Sequence, residues 1–343
     1  MEHLHKKFLG TLAKILDDNP ERAETLNVRK IIEESTPEAV QAIKKSILDT
    51  TQSMLEERRS SWDEFRQRNI KRWGKAFDLL ETQIVICTEA GEEFNSSYRK
   101  IAVEENDIVF DLIVRHHARA CQISQEILCL LKSGYADAAH ARWRALHEVN
   151  VTARFIGKHG RDCAERFYFH EVVDSYSAMR EHKKYEDRLQ EKGPSEEEIK
   201  ACKVQYDNLI KRFGKKYGDH YGWASYLFPT HRRVGFAALE KDVELDHMRP
   251  YYSWASQNIH SGSKGMRNRL GLCETGKDIL LVGQSDAGVI DPGHAAALSL
   301  GQITSTLLMM KPTFDSIVLM ELINEFQRDI GETFMELSRC KNS

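Results

Sequence analysis

Proline is scarce, seven in 343 residues, so long stretches can run helical without interruption. No apolar run reaches the ~18 residues of a membrane span, and no membrane partner is expected. Neither sign of charge dominates. The 49 Lys+Arg against 52 Asp+Glu give a formal net charge of -3, which leaves no global pull toward nucleic acid or an anionic bilayer. The seven cysteines form no CxxC or CxxH pair, which argues against a zinc ribbon or a disulfide framework and for reduced thiols in a cytoplasm. The first twenty residues lack the unbroken apolar core and small-residue cleavage site of a signal peptide. GxxxxGK[ST], GxGxxG after a strand and GxSxG are absent. HExxH is missing too: His147-Glu148 runs on into Val149-Asn150-Val151, and His170-Glu171 into Val172-Val173-Asp174. Nucleotide-cofactor enzymes of α/β type are thereby excluded.

What is present is helix-forming Ala, Leu, Glu, Lys and Arg. The pattern predicts an all-α protein: a multi-helix bundle with a long charged N-terminal helical arm and one irregular or hairpin segment near 279–291. The arm is placed at 1–100 and the bundle core at 105–343. Residues 1–34 read as two short helices around Asn19-Pro20, the first with Leu4, Phe8, Leu12, Ile15 and Leu16 at helical spacing. Ser35-Thr36-Pro37-Glu38 reads as a helix start, with a hydroxyl cap and an early Pro. Beyond it, Trp62, Phe65, Ile70, Trp73, Phe77 and Leu80 make a thin apolar stripe on a charged background. That stripe suits a solvated arm or a dimerisation surface, and a homo-oligomer through the arm is expected.

In the core, Asp107 can cap a helix running to Gly134. A second helix covers about 136–157 and is expected to end at Gly157 and Gly160; a third covers 161–192. Ser195 opens a charged helix, 214–250 is irregular, and YYSWASQNIHSG is helical. Two more helices follow, over HAAALSLGQITSTLLMMK and after Pro312.

Charge sits in unexpected places on these helices. His140, Arg144, His147, Glu148 and Val151 share one face, beside Ala141, Ala145 and Val149. Polar groups in such small-residue surroundings must be paired. The preceding helix carries Arg115, Arg119, Gln122 and Glu126 on one stripe, with His116 and His117 toward its apolar side. His170, Asp174 and Ser177 share a face further on, as do Tyr252, Ser256 and His260. Each stripe also has a plain structural reading: Arg144–Glu148 and His170–Asp174 are ordinary i,i+4 pairs.

RWRALHEVNVTARFIG, the helix bearing His170, and YYSWASQNIHSG together resemble the bacterial domain-of-unknown-function family 5677 over about residues 105–310. The resemblance implies a helical domain with an Arg-x-x-x-Glu helix (Arg144 and Glu148) and a later Ser…His helix (Ser256 and His260), and no reaction. A looser resemblance is to HEPN-type helical ribonucleases, which place Arg and His four to six residues apart and complete their site by dimerisation. Arg142 to His147 and Arg154 to His159 have that spacing, with Trp143 and Phe155 where a polar residue usually follows the Arg.

Two functions fit. In the first, Glu148, His170, Asp174 and His260 form a carboxylate–imidazole site, as acid/base groups or as ligands of a divalent metal. Arg115, Arg119, Arg144, Tyr252 and Ser256 then hold substrate, and hydrolysis of a phosphodiester or nucleotide suits the set. By analogy, this would be a defence- or toxin-like nuclease with a nucleic-acid or nucleotide partner. In the second, the patch is a structural network within a helical interaction or oligomerisation module. A common cavity open to solvent favours the first; closure in pairs favours the second.

Overall fold

A chain so rich in helix formers keeps few backbone groups outside helices. The computed structural model describes residues 2–18, 20–22, 27–260, 262–275 and 279–339; these form helices, turns and irregular segments, with no strand among them. Asn19, Ser261, Cys340 and the side chains of Leu4 and Ile15 lie outside the described residues. The chain divides into two compact units, residues 1–64 and 65–343.

The first unit holds α1 (Glu2–Asp18), a 3-10 turn (Pro20–Arg22) and the beginning of α2 (Val28–Glu104). From Val28 to Glu64 every residue is exposed except the half-buried Ile31, Thr51 and Leu55. The helix start expected at Ser35-Thr36-Pro37-Glu38 is a correction, because α2 begins at Val28 and passes through Pro37. The hydroxyls of Ser35 and Thr36 turn back and donate to the carbonyls of Ile31 and Ile32, both at 2.6 Å. They serve the turn before them instead of capping the turn after.

The second unit is the bundle. Its core joins Trp73, Phe77 and Leu80 of α2 to residues of α3 (Ile108–Lys132), α4 (Ala136–Phe169), α10 (Ile290–Leu308) and α11 (Phe314–Arg339). Burying each large side chain here contributes about 1.5–3 kcal/mol. Polar side chains pin the layers together. Asn69 donates to the carbonyls of Leu131 and Lys132 (2.9 and 3.0 Å), Gln83 to that of Ala297 (2.9 Å), and the Trp143 indole to Ser299 Oγ (3.0 Å). Asp107 caps α3, accepting from the Phe110 amide at 3.0 Å.

Two expected boundaries move. Helical backbone runs past Gly157 to Phe169, interrupted only at Gly160, whose φ of 69° and ψ of -151° kink α4. The next helix, α5, is Glu171–Leu189 and stops short of 192. A single residue makes the bend, so helix resumes at once. Ser195 opens α6 (Glu196–Phe213) with a reciprocal capping box to Glu198. The segment 214–250 is irregular but holds α7 (Phe236–Asp242); α8 (Arg249–Ile259) and a short α9 (Ser263–Arg267) follow. Residues 279–289 are irregular and tied down in part by the Ser285 amide, which donates to the Gly134 carbonyl at 3.0 Å.

Candidate functional site

The helical register of α4 sends Arg144, His147 and Glu148 toward α7 and α8. Pro250 sits in the first turn of α8, where its missing N–H costs nothing, and sets up the turn carrying Arg249 and Tyr252. The Tyr252 hydroxyl lies between two charged groups: it accepts from Arg144 Nη2 at 2.8 Å and donates to Glu148 Oε1 at 2.5 Å. Arg144 also pairs directly with Glu148 at 2.9 Å, and its guanidinium lies 4.8 Å from the Tyr252 ring centre.

A second charged group lies beside the first. Glu240 of α7 has no exposed surface, and its two oxygens meet different partners. His147 Nε2 is 3.0 Å from Oε1, and Arg249 Nη2 is 2.9 Å from Oε2. The His147 imidazole packs among Trp143, Phe236 and Tyr252, and the Arg249 guanidinium also lies over Tyr252, 5.1 Å from the ring centre. Burial, with Glu148 adding to it, pushes the Tyr221 hydroxyl up to about 12. Burial first, and then the hydrogen bond to Glu148, also holds the Tyr252 hydroxyl well above the ordinary phenol range. Neither phenol ionises near neutral pH. Two guanidiniums face two carboxylates, so the cluster is balanced in charge without any ligand.

Of the residues selected from sequence, the structure brings together Arg144, Glu148 and Tyr252. Ser256 is on the same helix as Tyr252, but its hydroxyl donates to the Tyr252 carbonyl at 2.9 Å. His170 is buried elsewhere. Its Nε2 is engaged by the carbonyls of Tyr217 and Asp219 (3.1 and 3.0 Å), and Asp174, 3.6 Å from Nδ1, is largely exposed. His260 ends α8 at the surface. Arg115 pairs with Asp111 at 2.7 Å, and Arg119 donates to Gln122 at 3.0 Å. His117 is sealed in the core against Thr304 (3.0 Å), and burial lowers its pKa to about 4. Sequence reasoning did not select Glu240, Arg249 or Tyr221. One signal for Glu240 was available: a lone carboxylate next to the apolar run Phe236-Ala237-Ala238-Leu239.

Arg142 and His147 part company: Arg142 pairs with Glu126, while His147 is fully buried against Glu240. Arg154 lines a cleft of about 470 Å3 with Lys158, Asp242 and Thr306. Asp242 Oδ1 takes both His159 Nε2 (2.8 Å) and Lys158 Nζ (3.0 Å). Among the described residues no three His, Cys, Asp or Glu side chains converge so as to hold a metal ion. No helix there is long and apolar enough to cross a membrane.

The class defined so far is an all-α bundle with a charge-balanced polar cluster where α4 meets α7 and α8. Residues 110–278, which contain every member of that cluster, match the model of a family of unknown function, DUF5677. No curated protein and no solved structure matches the chain.

Proposed function

We propose that the protein is a helical interaction module that associates with itself through residues 28–64, and that the polar cluster is a structural network. The observation that carries this reading is the exposed apolar face of α2: Ile32, Val40, Ile43, Ile47, Met54 and Trp62 are all open to solvent. A row of exposed apolar side chains on one side of a helix is the pattern of an interaction surface. An isolated helix also gains most of its stability from packing, which a partner would supply. The pairing of Arg144 with Glu148 and of Arg249 with Glu240 supports the second half, since each guanidinium there already faces a carboxylate.

Sedimentation equilibrium of the full chain at about 1–50 µM, a range that brackets micromolar dissociation constants, tests the reading. The expected result is twice the 39.5 kDa chain mass, falling to the single-chain mass in Ile43→Glu/Ile47→Glu. A single-chain mass for the unmodified protein throughout sinks it.

Hydrolysis of a phosphodiester or nucleotide is the second reading, favoured by one observation. Asp242, bonded to His159, stands with Lys158 and Arg154 at one cleft, so a carboxylate–imidazole pair lies beside two cations. Loss of single-stranded RNA cleavage in His159→Ala, with the fold intact, supports it; absence of cleavage by the unmodified protein removes it.

A further inference from the structure

We infer that residues 28–64 pair with the same segment of a second copy in antiparallel orientation, about a two-fold axis beside Ile47. The inference rests on the self-association proposed above and adds its geometry. At about 100° per residue, Ile32, Val40, Ile43, Met54 and Trp62 all lie within about 60° of Ile47, which puts the six on one side of the helix. Turning one copy end over end about Ile47 sets Val40 level with Met54 of the second copy, Ile32 level with Trp62, and Ile47 against itself. Glu38, Lys45, Asp49 and Glu56 point away from that face, while Arg29, Glu33, Thr36, Thr51 and Arg58 lie on it toward its ends and between the apolar side chains.

Charge selects the orientation. Arg29 and Lys30 open the segment, followed one turn later by Glu33 and Glu34; Arg58 and Arg59 stand near its end, followed by Asp63. The antiparallel axis sets Lys30 level with Glu64, and brings Glu33 and Glu34 within about one helical turn of Arg58 and Arg59 along the axis. An in-register parallel pair would set each of these blocks against its own like-charged copy, which is disfavoured. The segment is about 55 Å long at 1.5 Å per residue. Six apolar side chains per copy, at roughly 100 Å2 each, approach the ~1,200 Å2 at which stable interfaces begin.

Spin labels read the geometry directly. The background is the full chain with Cys129, Cys202, Cys273 and Cys340 replaced by serine. Single labels go on Ser46→Cys and, separately, on Ser60→Cys. In the antiparallel pair, like residues separate along the axis by about 3 Å for each position away from Ile47. The two Ser46 labels then lie within about 20 Å and the two Ser60 labels about 40 Å apart. Equally short separations at both positions overturn the antiparallel geometry while leaving self-association standing. Loss of dipolar coupling at both positions, with a single-chain mass in sedimentation, overturns both.

Discussion

Val40, Ile43, Ile47, Thr51 and Met54 follow one another at steps of three, four, four and three residues. Trp73, Ala76, Leu80, Ile84 and Cys87 do the same, further along the same helix. The first set is exposed or half-exposed, with Ile47 53% open; the second is buried, with Trp73, Leu80 and Cys87 at 0%. Equal periodicity with opposite burial shows what a hydrophobic repeat specifies. It marks a face that needs cover and does not say where the cover comes from. For the second set the cover is in the same chain: Phe334 of α11 packs edge-on against Phe77, 6.1 Å between ring centres, and 6.0 Å from Trp73. For the first set we propose a second chain.

Two tryptophans break or sharpen this comparison most directly. Trp73→Ala should lower stability by about 3–5 kcal/mol in urea unfolding, because a fully buried indole leaves a cavity. If it costs under about 1 kcal/mol, the core assignment of that stripe is wrong. The bundle's polar network comes next. Glu240→Ala would leave His147 and Arg249 without their shared carboxylate in a sealed position and should cost about 3 kcal/mol. Glu240→Gln, which keeps the volume, separates loss of charge from loss of packing.

Acid should act on the bundle more gradually. Burial holds the pKa of His117 and of His140 down at about 4, against 6.5 for the unperturbed ring. Between these values the unfolded chain takes up a proton on each ring and the folded chain does not. Falling pH therefore favours unfolding across this window, and stability is regained as pH rises through 6.5. His140→Phe, which can preserve the stacking on Trp143, should flatten the pH dependence of the melting temperature between 6.5 and 4. An unchanged slope in that variant contradicts the assignment. A smaller loss, about 1 kcal/mol, is expected for Tyr252→Phe, which removes the hydroxyl joining Arg144 to Glu148. The smallest effect closes the comparison. Trp62→Ala, measured at concentrations low enough to keep the chain monomeric, should shift stability by no more than about 0.5 kcal/mol.

Sequence carried the helical class, the Asp107 and Ser195 caps, and the α4 register that groups Arg144 with Glu148. All are local properties, fixed within one or two turns. What escaped was the other half of the cluster. Glu240 and Arg249 come from the stretch 214–250, which the sequence reads as irregular, and Glu240 meets His147 only after the chain has folded back over about ninety residues, with Arg249 then meeting Glu240. The Ser35–Glu38 motif misled for a related reason. Hydroxyls beside a proline can serve the turn before them as well as the turn after, and the amino-acid string does not say which.

The bend in α4 has a consequence for handedness. Gly160 sits at φ 69° and ψ -151°, and apart from its chain neighbours and the adjoining helical backbone no heavy atom lies within 4 Å of where an L-residue's β-carbon would project. Space is free there and only chirality forbids a side chain, since that backbone region is closed to L-residues. Its mirror image, near -69° and 151°, is ordinary extended backbone. A D-alanine placed at this position by chemical ligation takes up its own ordinary backbone region and restricts the unfolded chain, while L-alanine strains the joint.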